Sequence, residues 1–132
     1  FGKGFYVNPD YMQAVEFCSS VIRREGVGVP TVTSFDFDES ALNVLNVMRF
    51  DGYSKEWAEC ILLNRNNTSD VPAHDYDIVV GPIADDGVGT QIRRLSRGFI
   101  TFDAFLEELK YSKVSIQYFF GTEEAIKYLK KI

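Results

Sequence analysis

The chain has 132 residues, 45% of them hydrophobic and 25% charged, with 14 basic and 19 acidic side chains and a net charge of -5. These proportions exclude disordered, collagen-like and coiled-coil chains, and the length suits one domain, residues 1–132, with a core of its own. Acidic residues outnumber basic ones in both halves and no apolar run nears the ~20 residues that cross a bilayer, so neither a nucleic-acid surface nor a membrane partner is advertised and a cytoplasmic location is expected.

The opening run Phe1-Gly2-Lys3-Gly4-Phe5-Tyr6 reads as a glycine-flexed turn entering a short strand. Asn8 as cap and Pro9 at the first helical position open a helix over about 9–24, with Tyr11, Ala14, Val15, Cys18 and Ile22 at helical spacing and Gly26 as its stop. Val29 to Phe37 is β-branched and aromatic, with Thr31, Thr33, Phe35 and Phe37 on one face of a strand. Ala41 to Phe50 fits either a strand or a helix. Ser54 caps a helix holding Trp57, Cys60, Ile61 and Asn64, and a polar loop follows to Val71. Tyr76 to Val80 is a strand that Gly81-Pro82 should end, because proline cannot donate to a ladder. Helices are expected over about 90–96 and from Thr101 to about Lys110. A strand over 115–120 precedes a last helix capped by Thr122, with Lys127, Lys130 and Lys131 toward its end. The mixture has no clean βαβ units, which gives an α+β class.

Chemistry concentrates at the start. Gly2 and Gly4 permit close backbone approach to a ligand, Lys3 supplies charge, and Tyr6 supplies a flat ring with a polar tip. A plain tight turn is the simpler reading, and the segment lacks the Gly-Lys-Ser/Thr ending of a phosphate loop. Cys18 and Cys60 read as small core hydrophobes, or as a disulfide in an exported protein. His74, Asp75 and Asp77 with Asp85-Asp86 invite a metal-dependent hydrolase reading, against which stands a turn or helix-cap role for the acidic pair. No metal is expected. Arg93, Arg94 and Arg97 read as a solvated helix face or a phosphate contact.

The run Phe1 to Cys18 resembles the second motif of the ADP-ribosyltransferase superfamily, especially its poly(ADP-ribose) polymerase-like branch. Four segments, Phe1–Tyr6, Trp57–Arg65, Tyr76–Asp86 and Gln117–Ala125, resemble in order a bacterial family of uncharacterised domains related to that superfamily. The resemblance implies a pair of mainly antiparallel sheets with flanking helices. It also implies NAD as substrate, an unknown protein or nucleic-acid acceptor, and an association with bacterial toxins or defence proteins. By resemblance, Tyr6 and Phe17 enclose the nicotinamide, Gly2 and Gly4 shape the approach, and Gln117 takes the position of the motif glutamate that addresses the ribose. A glutamine still bonds a ribose hydroxyl, but it carries no charge to stabilise a developing cation. Its alternative is an ordinary edge-strand glutamine. Ala14 replaces the serine that bonds the nicotinamide amide in the superfamily. The superfamily's first motif is expected upstream of Phe1, which makes this domain N-terminally incomplete and lacking its first strand. A catalytically inactive ligand- or protein-binding domain of the same fold is the competing reading.

Overall fold

The Phe5–Val7 run forms strand β1 and leads through Asp10 into helix α1 (Tyr11–Glu25). The computed structural model describes residues 1–26, 28–29, 31–69, 71–84, 86–110 and 114–132, with the backbone alone at 20, 21 and 86. Asp10, not Asn8, caps α1: its carboxylate accepts from the Met12 and Gln13 amides at 3.0 and 3.4 Å. Asn8 instead accepts from the Asp10 amide at 2.8 Å and braces the cap.

The strand expected over 29–37 narrows to β2 (Phe35–Phe37), because only these three residues meet a partner strand. The ambiguous stretch divides into one turn of helix, α2 (Ala41–Val44), and strand β3 (Val47–Arg49). Helix α3 (Lys55–Arg65) starts where expected, the Ser54 hydroxyl accepting from the Trp57 amide at 3.1 Å.

Strand β4 (Ile78–Pro82) continues through the residues expected to end it. β3 stops opposite Val80, so the missing Pro82 amide interrupts nothing on that side. The Pro82 carbonyl accepts from the Trp57 indole N–H at 3.0 Å.

Helix α4 (Asp86–Ser96) starts earlier than expected, α5 (Phe102–Leu109) follows its Thr101 cap, and β5 covers Ile116–Phe120. The last helix, α6 (Glu123–Ile126), is one turn long. The expected helix through Lys131 gives way to β6 (Leu129–Lys131), which pairs antiparallel with β2.

The described residues form two sheets, one ordered β1-β5-β4-β3 and the other β2-β6. Among the described residues only the β3–β4 pairing is parallel. The class is α+β, with mainly antiparallel sheets. β4 is buried almost throughout, since helices cover the larger sheet on one face and the small sheet covers the other. On the first face Trp57, Ile61, Ile92 and Phe105 pack over Val79 and Phe119. On the second, Phe37 sits edge-on to Tyr118 and Phe120, above Ile78, Ala41 and Ala125. Among the described residues no helix is long and apolar enough to cross a membrane.

Candidate functional site

Antiparallel register sets the site. Tyr6 of β1 lies opposite Phe119 of β5, and strand alternation puts Gln117 on the same face, two residues along. Tyr6 and Gln117 are therefore diagonal neighbours, about 7–8 Å apart between backbones. Gln117 is half-buried and pairs with Gly81 of β4. Its side chain has no hydrogen-bond partner among the described residues, which leaves an amide for a ligand.

The Tyr6 ring leans on Phe119 with centroids 5.1 Å apart, and its hydroxyl donates to the Gly2 carbonyl. Partial burial pushes the phenol up to about 12 although the residue is 39% exposed, so Tyr6 is neutral at ordinary pH. The same hydroxyl bond holds the turn in shape. Gly2 takes φ +117°, a conformation side chains rarely adopt, and a Cβ there would come within 2.9 Å of the Asn64 amide oxygen.

Gly4 has a different task. A Cβ on it would meet the Phe119 ring at 2.3 Å and the Phe120 carbonyl at 2.6 Å, so this glycine lets β1 close onto β5. Gly4 is not among the residues that line the cleft described next.

An open cleft of about 2050 Å³ borders this face. It exceeds the about 300–1,000 Å³ of ordinary small-ligand pockets, because it wraps around β1 to both faces of the sheet. Gly2, Tyr6, Phe17 and Gln117 all line it. The α1 wall contributes Gln13, Ala14, Phe17 and Cys18, spaced along one side of the helix. None of its described side chains is fully buried, and Phe17 is 68% exposed. A hydrogen bond from the Ser115 hydroxyl to Gln13 Oε1 at 3.3 Å ties α1 to the start of β5.

Three further residues join the site from α3 and the 72–76 segment. His74 Nε2 lies 2.7 Å from the Phe1 carbonyl, and its Nδ1 accepts from the Tyr76 amide at 3.1 Å. That pattern fits the tautomer with the proton on Nε2. The ring also stands edge-on to Phe119 at 5.6 Å. Asn64 donates to the Cys60 carbonyl at 2.8 Å and keeps its oxygen beside Gly2. Arg65 lines the cleft next to it. His74 is far from the opening motif in sequence, and no local pattern announces that the two meet.

The acidic residues considered for metal separate. Asp77 accepts from the Asn46 amide at 3.0 Å and from the Thr122 hydroxyl at 2.7 Å, which makes it a tie between loops. Asp85 and the Asp86 side chain lie outside the described residues. Among the described residues no group of three His, Cys, Asp or Glu side chains is placed to hold a metal ion. Cys18 and Cys60 are free, partly buried thiols, and Cys60 packs against the core. Burial pushes the Cys60 thiol up, which keeps it a poor nucleophile at neutral pH.

No curated protein and no solved structure matches the chain. One family profile does, over residues 1–131 of the 132, and its description is "Protein of unknown function (DUF3990)". With nearly its whole length matched, the chain belongs to the DUF3990 family of uncharacterised domains.

Proposed function

We propose that the cleft binds NAD and that the domain is ADP-ribosyltransferase-like, addressing an unknown protein or nucleic-acid acceptor. The observation that carries this reading is the placement of Tyr6 and Gln117 as diagonal neighbours on one face of the sheet, with Phe17 lining the same cleft. A neutral aromatic platform suits a flat cationic ring, and stacking or cation–π contact contributes about 0.5–2 kcal/mol per ring. The Gln117 amide can both donate to and accept from a ribose hydroxyl. The mainly antiparallel two-sheet architecture agrees with the resemblance of the sequence motifs.

Gln117 and Ala14 favour a second reading, binding without turnover. A glutamine offers no charge to a developing cation, and Ala14, which lines the cleft, has no group for an amide. Incubation with labelled NAD and candidate protein, RNA and DNA acceptors separates the two. Label transfer lost in Gln117→Ala supports the transferase. NAD binding without transfer supports the silent domain. Transfer that persists in Gln117→Ala removes Gln117 from the chemistry.

A further inference from the structure

Two cations meet at one point beside the cleft. A Cβ built on Gly89 would lie 3.4 and 3.6 Å from the two terminal guanidinium nitrogens of Arg65 and 3.8 Å from one of Arg93. Arg65 ends α3 and Arg93 belongs to α4, so the convergence is made by packing between helices, not by sequence. Both side chains are exposed, while Gly89 beneath them is buried. The Arg93 guanidinium donates to the Thr90 hydroxyl at 3.1 Å, and among the described residues neither arginine makes an ion pair with a carboxylate.

Two exposed like charges over one bare glycine repel each other weakly in water, and an anion between them would be attracted by both. We infer that Arg65, Arg93 and Gly89 form an anion-binding notch at the α3–α4 end of the cleft, which takes the phosphate or diphosphate group of a small molecule. Planar guanidiniums bind phosphate oxygens in pairs, and two of them converging match a diphosphate better than a single-charge ion. Of its three residues, Arg65 also lines the cleft. A nucleic-acid backbone fits less well, because it needs a track of cations and this chain carries a net charge of -5. The notch stands on its own geometry and does not depend on the nicotinamide reading.

The probe is inorganic pyrophosphate, titrated calorimetrically and by thermal unfolding against sodium chloride of equal ionic strength. The expected result is saturable binding in the wild type, weakened about tenfold or more in Arg65→Gln and in Arg93→Gln. Arg97→Gln, one residue past the end of α4, should bind as the wild type does. Gly89→Ala adds a methyl group under the guanidiniums and favours the helix, so it should weaken binding in a protein that remains folded. No binding beyond the salt control overturns the inference, and so does an equal loss in Arg97→Gln. A short RNA that binds while pyrophosphate does not would overturn it in favour of a backbone contact. Failure of pyrophosphate to bind with NAD binding intact would count against the notch alone.

Discussion

His74 grips Phe1. The imidazole Nε2 reaches the Phe1 carbonyl at 2.7 Å while Nδ1 receives the Tyr76 amide, so one ring joins two segments 73 residues apart in sequence. Phe1 itself stacks on Phe50 with centroids 6.1 Å apart and joins the core under the helices. The turn that carries Gly2 and Tyr6 is thus held from both ends, by His74 at its start and by the β1–β5 ladder at its finish. His74→Ala leaves the Tyr76 amide and the Phe1 carbonyl without partners. The expected loss is about 1–3 kcal/mol of stability, measured by urea unfolding. An unchanged unfolding midpoint would show that the clasp contributes nothing.

Gly4→Ala tests the close approach of the first two paired strands. The added methyl would overlap both the Phe119 ring and a backbone oxygen, and the backbone oxygen cannot swing aside. A loss of about 1–3 kcal/mol or more is expected, with near-ultraviolet circular dichroism reporting disturbed aromatic packing. Gly98→Ala serves as a contrast. Nothing lies within 4 Å of a Cβ there, so its cost comes only from the positive φ of 73°.

Tyr6 sets the alkaline behaviour. Its phenol is pushed up to about 12 by burial, above the ordinary value of 10, so the folded protein favours the neutral ring. The associated stability is complete below about pH 10 and is lost as pH rises through about 12. A spectrophotometric titration of the wild type against Tyr6→Phe should therefore differ by one phenol that ionises near pH 12. A difference curve centred near the free-tyrosine value, about 10, would place Tyr6 in water.

Phe17→Ala separates ligand contact from folding. The ring is 68% exposed, so its removal should change stability by less than about 0.5 kcal/mol. If it stacks on a bound nicotinamide, NAD affinity should fall about 3–10-fold, the equivalent of one aromatic contact. Equal affinity in the two proteins would remove Phe17 from the site.

Much of this arrangement was legible in the sequence, and the gaps have physical causes. Local signals held: Ser54, Thr101 and Thr122 each cap a helix by accepting the expected amide. Non-local pairing was not legible. β2 and β6 are three residues each and find each other across most of the chain, so periodicity overextended one as a long strand and the other as a helix. Pro82 argued for a strand end, but it stands where β3 has already stopped, and only the topology tells that. The site divides in the same way. Tyr6, Phe17 and Gln117 were visible as types at motif positions, and the register makes Tyr6 and Gln117 diagonal neighbours on one face. His74 and Arg65 reach the site through tertiary packing, which leaves no mark at short range.

A charge placed at position 117 tests transfer against binding alone. Gln117→Glu introduces a carboxylate at the strand position opposite Gly81. If the domain transfers ADP-ribose, the variant should raise the rate of label transfer about tenfold or more, since a negative group better stabilises a developing sugar cation. A variant that binds NAD as the wild type does and shows no transfer in either form would support the silent domain.

The most direct measurement is calorimetric titration of NAD into the wild-type protein and into Tyr6→Ala, with each shown to be folded by circular dichroism. Saturable binding by the wild type, weakened about tenfold or more when the Tyr6 platform is removed, is the expected result. No heat of binding to the wild type, or equal affinity in the two proteins, would contradict the assignment of this cleft to NAD.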